Sequence, residues 1–123
     1  MKIGISSTGE DLNADVDPRF GRCKYFLFVD TDTMDFETVS NESAMASGGA
    51  GIQAAQTVAK AGIKTIITGN MGPNAFQTLS AAGIKVFTGA NGTVKETVEK
   101  YKKGELKETE AANVGSHHGM GGR

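Results

Sequence analysis

The second half of the chain contains two copies of one strand–loop–helix pattern. Residues 61–64 and 82–85 share the sequence Ala-Gly-Ile-Lys, and each copy opens a short apolar run that leads into a glycine-containing loop and a helical segment. Strands that alternate with helices of this length are typical of a parallel sheet joined by crossover helices. The pattern predicts strands at 64–68 and 84–88, with helices from Pro73 to about Ala82 and from Thr93 to Lys103.

The first half of the chain is richer in strand signals. It has three apolar or β-branched runs, and the short polar connection between the last two is typical of a hairpin. These runs predict strands at 2–6, 25–30 and 36–40, and a helix with small side chains follows at 51–61. We therefore expect one α/β domain over residues 1–107, with a mixed five-stranded sheet flanked by helices. A flexible tail containing glycine and histidine is expected over 108–123.

Charge and composition exclude several classes of protein. Thirteen basic and fourteen acidic side chains give a net charge of −1, without the basic surplus by which nucleic-acid binders neutralise phosphates. The single cysteine cannot form an internal disulfide. The first residues already have the pattern of a strand, and no run has the roughly 18 apolar residues of a membrane span. We expect a cytoplasmic protein that contacts neither nucleic acid nor membrane.

Three glycine-containing loops are expected to meet at one edge of the sheet. They lie at 6–9, 48–51 and 69–74. Ligands of parallel sheets usually bind outside the carboxyl ends of the strands, and helix N-termini offer unpaired N–H groups to anions. The simpler interpretation is that each glycine only makes a tight turn. The convergence of three such loops favours an anion-binding edge.

Signatures of catalysis are missing from the sequence. There is no phosphate-binding P-loop and no Gly-x-Ser-x-Gly elbow, and both histidines lie in the predicted tail. Asp11, Asp15 and Asp17 are interpreted as solvated loop acids rather than a two-metal site, because the first strand carries no acid. We therefore expect a protein that is not an enzyme.

Two kinds of soft or borderline metal ligand are present. Cys23 lies in a loop with Arg19 and Arg22, where positive charge favours the thiolate that binds metal. The alternative is that Cys23 is a small buried hydrophobic residue. His117 and His118 also suit a metal ion, or bind one only adventitiously.

Four segments together resemble the dinitrogenase iron–molybdenum cofactor biosynthesis family, as a small stand-alone member. They are Asp-Pro-Arg-Phe-Gly-Arg-Cys at 17–23, Gly-Ala-Gly-Ile-Gln-Ala-Ala-Gln at 49–56, Thr-Gly-Asn-Met-Gly-Pro-Asn-Ala at 68–75 and Ala-Gly-Ile-Lys-Val at 82–86. The resemblance implies a ribonuclease-H-like fold without nuclease activity. It further implies a carrier or scaffold for an iron–sulfur precursor of the iron–molybdenum cofactor, or a related cluster, with cluster donor and acceptor proteins as partners.

A binding site follows from combining the resemblance with the predicted loop edge. One cysteine cannot supply a four-thiolate site, so a ready-made anionic cluster would sit on backbone N–H groups and arginine. The expected cofactor-binding residues are Arg19, Phe20, Gly21, Cys23, Gly49, Gly51, Gly69, Asn70 and Gly72, and the expected metal ligands are Cys23, His117 and His118. Two alternatives stay open: a small enzyme or binder of a phosphorylated ligand at the same edge, and a protein–protein adaptor.

Overall fold

The computed structural model describes residues 1–45 and 48–110. Three strands come first, and two further strands then alternate with three α-helices; a short 3₁₀ turn, Glu42–Met45, precedes the first helix. In chain order the elements are β1 (Lys2–Ser7), β2 (Tyr25–Asp30), β3 (Phe36–Ser40), α1 (Ala50–Lys60), β4 (Thr65–Ile67), α2 (Pro73–Ala81), β5 (Lys85–Phe87) and α3 (Val94–Lys102). Each predicted element is present, with ends that differ by no more than one residue from the prediction.

The five strands form one mixed sheet in the order β3-β2-β1-β4-β5. β2 is antiparallel to both β1 and β3, whereas β4 is parallel to both β1 and β5. The repeated units of the second half therefore build the parallel side, and the hairpin of the first half builds the antiparallel side. The predicted single-domain α/β fold with a mixed sheet is confirmed, while its ribonuclease-H-like classification stays a prediction.

Both faces of the sheet are covered, because successive side chains of a strand point to opposite faces. On one face Phe26, Phe28 and Ile66 pack with α1 and α2. On the other face Ile3, Ile5 and their neighbours pack with α3. The result is a three-layer arrangement in which the loops that start α1 and α2 lie on the same side of the sheet, next to the end of β4.

The start of α3 is closed by its own side chains. Thr93 Oγ1 accepts a hydrogen bond from the Glu96 N–H at 3.1 Å, and Glu96 Oε1 accepts one from the Thr93 N–H at 2.8 Å. These two bonds form a capping box. The bond from the Thr93 N–H is the main reason that the pKa of Glu96 lies below its ordinary value.

The chain remains attached to the sheet beyond the predicted domain end at residue 107. Glu108 pairs with Phe87 of β5, and the Thr109 N–H donates to the Val86 carbonyl at 2.7 Å. This pairing uses backbone groups and needs no apolar periodicity, so the sequence pattern did not reveal it. Residues 111–123, which make up most of the predicted tail, lie outside the described residues. No helix in the described ranges has the length and apolar character required to cross a membrane.

Candidate functional site

A cavity of about 350 Å³ lies where the loop before β2 meets the starts of α1 and α2. Three chain segments form its wall, each brought to this edge by a different strand or helix. The lining residues are Arg19, Phe20, Gly21 and Arg22, then Gly49, Ala50, Gly51 and Ile52, and finally Asn70, Gly72, Pro73, Asn74 and Ala75. The predicted loops 48–51 and 69–74 therefore do converge. The predicted loop 6–9 does not line the cavity: Ser6 and Ser7 are buried, and Val16 and Asp17 pair with them.

The first turns of α1 and α2 both face this cavity, and no side chain of residues 1–45 or 48–110 caps either of them. The N-cap residues are Gly49 and Gly72, which have no side-chain oxygen, and neither first turn contains an acidic residue. The N–H groups of a first turn have no partner within their helix, and the aligned peptide dipoles place about half a positive charge there. The start of α3, by contrast, is capped by Thr93 and Glu96. We call the starts of α1 and α2, which have no such cap among the described residues, the open helix starts; both lie at the cavity.

Glycines allow the cavity wall to close up. A Cβ atom at Gly21 would lie 2.8 Å from the backbone nitrogen of Gly51, so the loop that carries Arg19 can rest directly on the start of α1. A Cβ atom at Gly51 would lie 3.1 Å from the Ala75 Cβ, which brings the starts of α1 and α2 together. Larger side chains at either position would separate the segments that form the wall.

Arg19 is held beside the cavity by Asp17. The Asp17 carboxylate accepts hydrogen bonds from the Arg19 backbone N–H at 2.9 Å, from Nε at 3.3 Å and from Nη2 at 3.4 Å. The first of these closes a local turn over Pro18. The hydrogen bond to Asp17, followed by its charge, raises the pKa of Arg19. The Arg19 side chain is 64 % exposed, whereas that of Asp17 is 4 % exposed.

The interpretation of Asp17 as a solvated loop acid is therefore wrong. Its carbonyl also accepts hydrogen bonds from the hydroxyls of Ser6 and Thr68, at the ends of β1 and β4. These contacts pull the loop into the sheet edge and bury the carboxylate, which Arg19 then neutralises. Asp11 and Asp15 are exposed, as expected. Among the described residues, no group of three or more histidine, cysteine or acidic side chains is placed to hold a metal ion.

Gly69 and Asn70 fix the position of the Arg19 loop. The Asn70 N–H donates to the Pro18 carbonyl at 2.7 Å, and Arg19 and Asn70 form a parallel bridge. A Cβ atom at Gly69 would lie 2.6 Å from the Pro18 Cα, so only glycine permits this crossing. Asn70 lines the cavity, whereas Gly69 is buried behind it and supports the wall.

Cys23 lies in the core and not on the cavity wall. Its side chain is fully buried, the thiol donates to the Phe20 carbonyl at 3.3 Å, and Asn41 Nδ2 donates to Sγ at 3.6 Å. Burial, with a smaller contribution from the charge of Asp17, raises the pKa of Cys23 to about 12. A neutral, inaccessible thiol is unsuited to metal binding. The structure thus supports the alternative interpretation of Cys23 as a buried hydrophobic residue, and we remove Cys23 from the ligand set.

The sequence identified the right loops but not all of the groups that face the cavity. Seven of the nine expected cofactor-binding residues line it: Arg19, Phe20, Gly21, Gly49, Gly51, Asn70 and Gly72. His117 and His118 lie outside the described residues. The prediction missed the residues that follow the N-caps, among them Ala50, Ile52 and Ala75, because it selected glycines. The predicted helix starts alone could have identified these residues. The unpaired backbone N–H groups of a helix belong to its first residues, whatever their side chains are.

The family of the chain is shown by comparison with known proteins. A family model described as dinitrogenase iron–molybdenum cofactor matches residues 1–104. The chain belongs to this family. None of the curated proteins compared with it matches.

Solved structures of similar chains support the same family. The apo form of the orange protein from Desulfovibrio gigas shares 43 % identity with a TM-score of 0.89, over 92 % of this chain and 96 % of that one. A Thermotoga protein described as a candidate NifB protein of the DUF35 family shares 39 % identity with a TM-score of 0.76, over 87 % and 91 % of the two chains. A candidate dinitrogenase from Methanocaldococcus jannaschii, 24 % identical with a TM-score of 0.64 over 90 % and 96 %, shares the fold.

Proposed function

We propose that this protein is a non-enzymatic carrier that binds a preassembled anionic iron–sulfur cluster, related to a precursor of the nitrogenase cofactor. The cluster would occupy the cavity between Arg19 and the starts of α1 and α2. The observation that carries the proposal is the convergence of two uncapped helix starts and one arginine on a single cavity. Membership of the dinitrogenase iron–molybdenum cofactor family supports the choice of ligand class.

The charges around the cavity favour an anion. Each helix start contributes about half a positive charge, and Arg19 and Arg22 add two full charges against the one of Asp17. A helix start stabilises an anion by about 0.3–1 kcal/mol when exposed and by up to about 2 kcal/mol when partly buried. A hydrogen bond from a charged group adds about 1.5–3 kcal/mol. Together these groups can hold a compact anion without a covalent bond to the protein.

The chemistry of the wall favours a complete cluster over a bare metal ion. The described residues that line the cavity include no thiol, imidazole or carboxylate. Backbone N–H groups and guanidinium groups can donate hydrogen bonds to sulfide or oxide ligands but cannot replace them on a metal. A cluster bound in this way keeps its own ligands and can be passed on intact. We therefore propose that donor and acceptor proteins are its partners.

A phosphorylated ligand is the second candidate for the same cavity. The donor set is equally suited to phosphoryl oxygens, because helix starts and arginine are common phosphate-binding groups. The volume of about 350 Å³ lies near the lower end of small-molecule sites, which span roughly 300–1,000 Å³, so such a ligand would be small. Binding of inorganic phosphate or a nucleotide in place of the cluster distinguishes the two candidates.

Anaerobic titration with a preformed iron–sulfur cofactor precursor tests the proposal. Visible absorbance and metal content are measured after gel filtration, with inorganic phosphate as the competing ligand. Wild type is compared with Arg19→Gln, with the exposed-cation control Lys60→Gln, with Cys23→Ala and with a full-length His117→Ala, His118→Ala double variant. A thermal melt of each variant confirms that it is folded.

We expect stoichiometric retention by wild type, Lys60→Gln, Cys23→Ala and the double-histidine variant. Arg19→Gln is expected to bind about tenfold to a hundredfold more weakly, as follows from the loss of one charged hydrogen bond. If the double-histidine variant alone loses the cluster, the ligand site lies in the tail and the cavity assignment is wrong. If wild type retains no cluster but binds phosphate, the second candidate replaces the first.

A further inference from the structure

The two edges of the sheet differ in one respect that concerns partner binding. At the β5 edge, Glu108 and Thr109 pair with the strand and cover it. At the opposite edge, β3 has no strand beside it in the described part of the chain. Natural proteins usually protect such an edge with charged side chains, above all lysine, with proline or with a bulge, and β3 carries one charged residue, Glu37. The β3 sequence Phe-Glu-Thr-Val-Ser has no proline or lysine, and it pairs with β2 residue by residue without a bulge.

Alternate backbone groups of β3 are directed away from the sheet. The Asp30 N–H donates to the Asp35 carbonyl and the Asn41 N–H donates to the Lys24 carbonyl, one at each end of the hairpin. Antiparallel partners alternate between hydrogen-bonded and non-bonded pairs. In the observed register, the N–H and C=O groups of Phe36, Thr38 and Ser40 therefore point outward. This arrangement can accept a further strand.

A groove with apolar and polar side chains adjoins the start of β3. It has a volume of about 500 Å³ and is lined by Asp11, Leu12, Asn13, Met34, Phe36 and Lys95. Phe36 is 41 % exposed, so part of its ring is accessible to a partner. An apolar side chain of an added strand can pack against Phe36, Met34 and Leu12. The groove thus gives the open edge an anchoring position.

The charges around the unpaired β3 edge indicate which charge a partner should carry. Residues 30–45 contain five carboxylates and no lysine or arginine. Asp30 and Asp32 pair with the amino terminus, whereas Asp35, Glu37 and Glu42 have no ion pair among the described residues. A second copy of this edge would place like charges face to face, which is unfavourable. Two cations also lie near this edge, since Lys95 lines the groove and Arg22 donates to the Ala44 carbonyl. The five carboxylates outnumber them, so the edge favours a basic segment over an acidic one.

We propose that β3 is a docking edge for an extended basic segment of another protein, which adds a sixth strand and places an apolar side chain against Phe36. The edge ends beside the ligand cavity, because Asn41 Nδ2 donates to the Gly21 carbonyl at 3.1 Å. A partner docked on β3 therefore lies next to the cavity wall. The surface itself exists whether or not the cavity binds a cluster.

The probe for this proposal is a fluorescently labelled octapeptide. Lysine alternates with valine along its sequence, and one valine is replaced by phenylalanine. A matched peptide carries glutamate in place of lysine. Binding to the full-length protein is measured by fluorescence anisotropy at two salt concentrations, and amide hydrogen exchange locates the contact. Ser40→Pro removes one outward N–H without removing a bond to β2, and Ser40→Ala is its control. Glu37→Lys reverses one charge at the edge, and Glu99→Lys on α3 is its control.

We expect the basic peptide to bind, to bind more weakly at high salt, and to slow exchange of the Phe36, Thr38 and Ser40 amides. Ser40→Pro should weaken binding about fivefold or more, and Glu37→Lys about threefold, whereas both controls bind like wild type. Equal binding of the acidic peptide overturns the proposal, as does the absence of any binding. A concentration-dependent dimer that Ser40→Pro abolishes also overturns it, because a second copy then occupies the edge.

Discussion

The buried thiol of Cys23 should make the protein less stable in alkaline solution. Its pKa is raised from the ordinary 9.0 to about 12 in the folded protein. Above pH 9 the unfolded chain releases the thiol proton while the folded chain keeps it, so the free energy of unfolding falls as the pH rises. The contribution of the neutral thiol is complete below pH 9 and is lost progressively above it, with a maximum slope of about 1.4 kcal/mol per pH unit.

The magnitude can be worked out for a chosen interval. Between pH 8 and pH 10 the unfolded thiol passes through its titration and the folded thiol does not. The stability of wild type should therefore fall by about 1.4 kcal/mol more than that of a variant without the thiol. All other ionisable groups are common to both proteins, so their contributions cancel in the difference. Urea unfolding of wild type, Cys23→Ala and Cys23→Ser at pH 8, 9 and 10 provides the measurement.

The same reasoning predicts the reactivity of the thiol. A thiol-specific reagent at pH 8 should modify folded Cys23 only at the rate at which the protein opens, because the side chain is fully buried. The reasoning is refuted if the stability difference between wild type and Cys23→Ala stays constant from pH 8 to pH 10. Rapid modification of the folded protein would equally contradict the neutral buried thiol.

Three further predictions concern positions with a defined local geometry. Gly69→Ala should destabilise the protein by about 1–3 kcal/mol in urea unfolding, because its Cβ would lie 2.6 Å from the Pro18 Cα in the Arg19 loop. Gly48→Ala is the control and should change stability by less than about 0.5 kcal/mol, because no atom of the described residues lies within 4 Å of its Cβ. The Gly51→Val variant should remain folded, as measured by circular dichroism, but should no longer retain the cluster in gel filtration, because the valine side chain fills the gap between α1 and α2. Unchanged retention would contradict the assigned cavity. Thr93→Ala should cost about 1 kcal/mol of stability through loss of the α3 cap, and no effect would mean that the cap contributes nothing.

Most of the fold was predictable from local pattern. The strands at 25–30 and 36–40 were predicted to the residue, because polar turn residues bound apolar runs on both sides. The capping box predicted the start of α3, since both partners lie within four residues. The attachment of Glu108 and Thr109 was not predictable, because it depends on backbone pairing with a strand twenty residues earlier.

The candidate site was predictable only in part, for a similar physical reason. Glycine-rich loops identified the edge of the sheet, and both helix starts do lie there. The burial of Asp17 depends on hydrogen bonds from Ser6 and Thr68. The burial of Cys23 depends on core packing and on Asn41. These partners are distant in sequence and come together only in the folded chain. A charged loop motif has the same sequence whether it faces solvent or folds inward.

An amide NMR map of cluster binding tests the central claim most directly. Isotope-labelled full-length protein is titrated anaerobically with the preformed iron–sulfur cofactor precursor, and the perturbation of each backbone N–H signal is recorded. The strongest changes should fall on Ala50, Gly51, Ile52 and Ala75, while the amides at the capped start of α3 keep their signals. Changes confined to residues 111–123 or to the start of α3, or no change at all, would contradict binding between the two open helix starts.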